Sequence, residues 1–382
     1  MTDTKRPSLR PRFRAQSREF YLLISLVAFT VFLGLAMVAS ASSVDAFKAT
    51  SNAGSTFYKQ GLFAVAGTFL LIVASNMPIA FYRRIGSIAM LGMIGLQLAT
   101  VLFGKEVNGN KNWIDLGLFT LQPSEFLKLA LIIGISYLLS QYSDDGFQNR
   151  QLTTRIIAYS GISLFLVVFM GKDMGTGVVM AVMLMGMFLF AGMRLSQWLA
   201  VSAMGLAAVV LLVQMSASRR IRFDAWLNPD SADPMGVRWQ YEHGTWALAS
   251  GGLFGTGLGR SKLKWSWIPE VENDFIFAII GEELGLIGAI FVIVLFFLIG
   301  LTLFSIAKKQ TSAFSRNMVI GVMLWIVMQA LINISVVLGY LPVLGVPLPL
   351  ISAGGSSLIA TLGAVGVVLA IERDRMSKLG QR

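Results

Sequence analysis

Asp274 is the side chain best placed to do chemistry. It stands where a long polar stretch beginning at Ser218 meets the apolar run Phe275-Ile276-Phe277-Ala278. Two further acids, Glu270 and Glu272, precede it, and two cationic clusters lie upstream: Arg219, Arg220 and Arg222, then Arg260, Lys262 and Lys264. A carboxylate at the edge of an apolar helix is partly desolvated, which raises its pKa and makes it competent to take a proton from a hydroxyl. Arginine forks match the geometry of phosphate oxygens. Arg219, Arg222, Arg260 and Lys264 are therefore candidate ligands for an anionic headgroup, with Glu272 beside them as a further substrate contact. Two plainer readings fit the same residues. A carboxylate at a helix N-terminus is favoured by the helix dipole alone, and cations on a membrane-surface loop meet bulk anionic phospholipid.

Four more ionisable residues, Glu125, Lys128, Glu282 and Glu283, fall inside apolar runs. Charges there pair with one another or serve function. At about 1.5 Å per residue, Lys128 lies roughly 9 Å below the start of its run and Glu282 roughly 12 Å below Asp274, so a Lys128–Glu282 pair is expected. The glycines at 251, 252, 255, 257 and 259 form a run, but no strand precedes it and no helix comes after it, so a dinucleotide fingerprint is rejected in favour of tight turns.

The composition says what holds these groups. Of 382 residues, 55% are hydrophobic and 13% charged, against about 25% charged in a soluble protein. The solvent is a bilayer. The net charge of +11 does not point to nucleic acid, because the cations sit at the ends of apolar runs. There is no Cys and a single His, His243, which excludes disulfides, thiolate catalysis and a His-rich metal site. The basic arm from Lys5 to Arg18 leads into a full-length span with no small-residue cleavage site, so a cleavable signal is not expected.

A spanning helix needs roughly 20 mostly apolar residues. Ten such runs are present: 20–40, 61–79, 86–103, 122–140, 155–171, 174–193, 197–216, 275–304, 317–338 and 355–371. With the N-terminus in the cytoplasm, eighteen Lys and Arg fall on that side and five in the short outer loops, which sets the orientation. The expected fold is an all-α polytopic membrane protein. It has ten transmembrane helices in one membrane domain over 1–382, cytoplasmic tails at 1–19 and 372–382, and one large extracytoplasmic loop at 217–274. Five of the eight Trp lie in that loop, so it is expected to run along the membrane surface. No internal repeat of the kind that builds transporters is visible.

Several motifs in order resemble the SEDS family of shape, elongation, division and sporulation proteins. The strongest is Asp274-Phe-Ile-Phe-Ala-Ile-Ile-Gly-Glu-Glu-Leu-Gly285. Others are Gln122-Pro-Ser-Glu125 with Lys128, Asp173-Met-Gly-Thr176, the stretch Pro229 to Pro234, and Pro347-Leu-Pro-Leu-Ile-Ser352 with Gly354-Gly355. Gly255 to Lys262 and Ser42-Ser43-Val44 look more like the division branch than the elongation branch. The chain departs from the family at Glu272-Asn273, where His-Thr is usual, at Asn112, where Arg is usual, and at Arg238-Trp239, where Gly-Tyr is frequent.

The resemblance implies a peptidoglycan glycosyltransferase. It would polymerise lipid II, a disaccharide pentapeptide on undecaprenyl diphosphate, at the outer face of the bacterial plasma membrane, with Asp274 as the base. Implied partners are a class B penicillin-binding protein, other division or elongation proteins, and membrane lipids; no nucleic acid is expected. The one cofactor such chemistry would admit is a divalent cation, Mg or Mn, at the departing diphosphate. A lipid II flippase and a non-catalytic scaffold of the division machinery are the alternatives.

Overall fold

The computed structural model describes residues 16–107, 110–117, 119–141, 147, 149–228, 237–262 and 271–379. The apolar runs are helices at close to their expected bounds. In chain order the first four are α1 (Arg18–Ala41), the short α2 (Ser43–Thr50), α3 (Ser55–Asn76) and α4 (Ile79–Phe103). Then come α5 (Pro123–Gln141), α6 (Arg150–Leu164), α7 (Met174–Phe190) and α8 (Leu195–Gln214). Among the described residues nine helices are long and apolar enough to cross a membrane, and α7 is a shorter apolar helix of 17 residues.

Local chemistry sets several ends. Ser17 caps α1 by accepting from the Phe20 amide at 3.1 Å, with Glu19 in the first turn. Asn149 caps α6 by accepting from the amides of Gln151 and Leu152. Both are standard ways of satisfying the first amides of a helix. α6 does not end in α geometry: Phe165–Met170 forms a π-helix leading to α7.

Two polar stretches hold more regular structure than their composition predicts. Between α4 and α5, β1 (Lys105–Val107), β2 (Asn110–Asp115) and β3 (Thr120–Leu121) make a small antiparallel sheet in the order β1-β2-β3. The long loop carries α9 (Ala217–Leu227), α10 (Val237–Ser250) and the single turn α11 (Val271–Asp274).

The last three helices are α12 (Ile276–Lys308), α13 (Ala313–Val337) and α14 (Gly355–Leu379). α12 is broken at Gly285, whose backbone (φ 70°, ψ −170°) is open essentially to glycine alone. α14, α5 and α13 are sheathed by their neighbours along most of their length; α3 and above all α8 lie at the periphery. α14 packs on α3, α5 against α4 and α13, and α12 between α1 and α13. Exposed Phe, Leu, Ile and Val side chains cover the outer helices, as a hydrocarbon solvent requires. This is a multi-pass membrane protein.

Candidate active site

Asp274 ends α11, and one non-helical residue, Phe275, separates it from α12. The N-cap of α12 is thus Phe275 rather than Asp274, which weakens the reading of Asp274 as an ordinary cap. The backbone here is clamped. Asn333 on α13 donates from Nδ2 to the Asp274 carbonyl at 2.8 Å and to the Val346 carbonyl at 2.7 Å. The Ala353 amide donates to the Glu272 carbonyl at 3.0 Å. The loop between α13 and α14 therefore lies directly on the Asp274 turn. At Gly345 (φ 71°) a Cβ would stand 3.4 Å from Asp274 Oδ2, so glycine both permits the turn and leaves the carboxylate room.

Asp274 lines a cavity of about 950 Å³. Its walls come from α5, the π-helix to α7 junction, the end of α8, α9, the Asp274 turn and the α13–α14 loop. Glu125, Asp173, Lys172, Arg219 and Arg222 all line it, with Gln122, Asn273 and Ser356.

Asp173 caps α7, accepting from the Thr176 amide at 2.9 Å, and its other oxygen accepts from Gln122 Nε2 at 3.0 Å. Burial pushes its carboxyl above the usual range, and the charge of Glu125 adds to that. Lys172 takes a left-handed backbone (φ 60°), rare for a residue with a side chain, at the junction between the π-helix and α7 that lines the cavity.

Arg219 donates to the carbonyls of Val168 in the π-helix (3.0 Å) and Leu212 in α8 (3.3 Å). Desolvation, then the nearby Arg222, lowers its pKa from the ordinary arginine value, which lies far above neutrality, so it keeps its charge. Arg219, Arg222 and Lys172 form the cationic rim of the cavity that Asp274 also lines.

The expected Lys128–Glu282 pair does not form. Lys128, 1% exposed, pairs with Glu125 at 2.9 Å, one helical turn away on α5. It also donates to Gln329 Oε1 at 3.0 Å and lies 4.7 Å from the Trp325 ring centroid. Gln329 is held by Trp325 Nε1 and donates to the Pro347 carbonyl at 3.0 Å. Glu282 instead accepts from the Ser261 hydroxyl and the Lys262 amide. The depth argument failed because each residue has a nearer partner: Lys128 the i,i+3 carboxylate on α5, and Glu282 the Gly-rich segment at Ser261 and Lys262.

The other expected residues are dispersed. Arg260 lies on a Gly-rich strap and Glu282 on the stretch of α12 bound to it, both outside the cavity lining, and Glu272 contributes its backbone to the clamp. Lys264 lies outside the described residues. No group of three or more His, Cys, Asp or Glu side chains that could hold a metal occurs among the described residues.

The family described as "Cell cycle protein", with FtsW, RodA and SpoVE in its name, matches residues 20–377. The "Probable peptidoglycan glycosyltransferase FtsW" of Trichlorobacter lovleyi is 37% identical over 368 residues, covering 95% of each chain. The protein of that description from Mycobacterium tuberculosis is 37% identical over 370 residues, covering 94% of this chain and 70% of the relative. Among solved structures, a chain of a peptidoglycan synthase complex, described by its coordination of polymerization and crosslinking, superposes with a TM-score of 0.77 at 24% identity, covering 94% of this chain and 98% of that one.

Proposed function

The chain belongs to the cell cycle protein family of FtsW, RodA and SpoVE, and we propose from that premise and the cavity's geometry that it polymerises a diphosphate-linked saccharide into glycan strands. It is a peptidoglycan glycosyltransferase. Its substrate is lipid II, and it works at the outer face of the plasma membrane with both termini in the cytoplasm, as the asymmetry of eighteen cations to five supports.

The observation that carries this reading is that one cavity holds the Asp274 carboxylate together with three cations, Lys172, Arg219 and Arg222, while the two other carboxylates of its lining are engaged, Glu125 by Lys128 and Asp173 by Gln122 and the Thr176 amide. In the reaction the acceptor's sugar hydroxyl oxygen attacks the anomeric carbon of the donor. The new carbon–oxygen bond forms as the bond to the diphosphate oxygen breaks, and the lipid diphosphate leaves with the electron pair. Asp274 takes the hydroxyl proton. The rim cations stabilise the charge that grows on the leaving group. The lipid tail packs against apolar residues of the lining, Phe169, Leu212, Met215 and Phe223. A class B penicillin-binding protein is the partner that would crosslink the strands. The likeness to a chain of a synthase complex supports that pairing.

Purified protein in detergent or nanodiscs, given labelled lipid II, should yield glycan polymer. Asp274→Asn keeps the shape but cannot take the proton, and should cost ~10²–10⁴ in rate. Polymer made by Asp274→Asn at the wild-type rate would leave only the flippase or scaffold role.

A further inference from the structure

Glu282 and Glu283 are both buried, 2% and 1% exposed, and the reaction does not use them. What they hold is a strap. Glu282 accepts from the Ser261 hydroxyl and the Lys262 amide (2.8 Å), and Glu283 from the Ser261 amide at 3.2 Å. The strap and α12 also share main-chain bonds across the Gly285 break. Thr256 and Gly257 donate to the carbonyls of Glu282 and Glu283 at 2.9 and 3.1 Å, and Leu286 and Ile287 donate to those of Gly252 and Leu253 at 2.9 and 3.3 Å. Irregular backbone at a membrane must find its partners within the protein, and this strap does so.

The level of the strap can be read from two ties between α1 and α12. Lys309 pairs with Glu19 at 2.6 Å at one end, and the Ser40 hydroxyl donates to both oxygens of Glu283 at 2.7 and 2.8 Å at the other. On α1 these ties are 21 residues apart in a continuous helix, which is about 32 Å at 1.5 Å per residue. A bilayer's hydrocarbon core is about 30 Å thick. Glu283 and the strap bound to it thus lie at one hydrocarbon boundary, and the part of α12 that crosses the membrane begins at Gly285.

At that boundary the strap turns its apolar side chains outward. Leu253, Phe254 and Leu258 are 60%, 81% and 66% exposed, beside the exposed Leu286, Ile287 and Ile290 of the crossing part of α12. Arg260 and Lys262 come next along the strap, both exposed. The apolar tips lie beside the exposed apolar stripe of α12, and the two cations follow them in the chain.

We propose that residues 251–262 form a bilayer-seated collar: Leu253, Phe254 and Leu258 insert at the acyl–headgroup boundary of the leaflet on the Asp274 side, while Arg260 and Lys262 lie against its phosphates. Its occupant is bulk phospholipid, not the lipid-linked substrate. Seated there, the collar fixes α12 against the membrane surface through Glu282 and Glu283, eight and nine residues beyond Asp274.

The chain has no cysteine, so single substitutions can be labelled uniquely. Phe254→Cys and Leu258→Cys, each carrying an environment-sensitive fluorophore, are reconstituted in nanodiscs of phosphatidylethanolamine and phosphatidylglycerol, with Asn52→Cys as the aqueous reference. Lipids bearing a nitroxide near the top of the acyl chain should quench positions 254 and 258 at least twofold more than position 52, and iodide should quench them less. Iodide quenching at the level of position 52 overturns the proposal. Protection from both quenchers overturns it too, since a protein surface would then cover the tips. No turnover is measured, so the result stands apart from the assignment of Asp274.

Discussion

Asn333 holds Asp274 by its backbone: one amide nitrogen on α13 reaches the Asp274 carbonyl at 2.8 Å and the Val346 carbonyl at 2.7 Å. The carboxylate and the loop that faces it are thereby set by one side chain, so their separation is fixed from the core of the bundle.

Replacing that side chain should separate positioning from chemistry. Asn333→Leu keeps the size but leaves two carbonyls without their donor, at a cost of about 1–3 kcal/mol. A misplacement near 1 Å at the reacting groups costs on the order of 10²-fold in rate. Steady-state kinetics should therefore show a fall in kcat well beyond any change in KM, with a melting midpoint lowered by several degrees. Unchanged kcat would mean that the clamp does not position the carboxylate.

The Glu125–Lys128 pair gives a cleaner double-mutant test than Lys128–Glu282. Lys128→Met leaves Glu125 buried without its cation and should cost about 3–5 kcal/mol. Adding Glu125→Gln should recover part of that loss, with a coupling of about 0.5–3 kcal/mol in unfolding free energy. Lys128→Met and Glu282→Gln should simply add. Coupling in the second cycle and not the first would reverse the assignment made from the structure.

Gly285→Ala should be costly out of proportion to its size. The backbone there lies in a glycine-only region, worth about 1–3 kcal/mol of strain, and an added Cβ would come within 2.4 Å of the Gly255 nitrogen. Gly92→Ala, with nothing within 4 Å of the new Cβ, should be neutral or slightly stabilising as an ordinary helix substitution. Thermal unfolding of the two variants side by side checks this. Equal midpoints would show that the break in α12 is incidental.

The rim cations should announce themselves through salt. Arg219→Gln and Arg222→Gln are expected to raise KM for lipid II several-fold each, and the wild-type KM should rise with ionic strength more steeply than that of the double variant. A wild-type salt response identical to the double variant's would remove these arginines from the diphosphate.

The spans were legible because a bilayer demands long apolar runs and little else produces them. Asp274 stood out as a candidate because it marks the border between the polar stretch and such a run. Other parts were not. Lys128 has a carboxylate one turn away on its own helix and another on a distant one, and sequence spacing does not reveal that Ser261 and Lys262 already occupy the distant one. Arg260 and Arg219 are both basic loop residues. Only the folded strap shows that one leaves the cavity while the other, on α9, lines it. Lys172 counts in the sequence as a short-loop cation, and its left-handed backbone is invisible there. Asp173 could be suspected from its spacing to Thr176, which suits a helix cap, but not its place in the cavity wall.

The π-helix at Phe165–Met170 limits length variation along the chain. Such a turn amounts to one residue more than an α-helix would need over the same rise. Deleting a single residue there would let the segment close into α geometry with its flanks kept in register, because the extra residue is what widens the turn. The Val168 carbonyl, which the Arg219 guanidinium now meets, would then be drawn into the helical ladder, and Arg219 would lose that anchor. A one-residue deletion in this short stretch should therefore be far less tolerated than the same deletion in an exposed surface loop, even though no reactive side chain is removed.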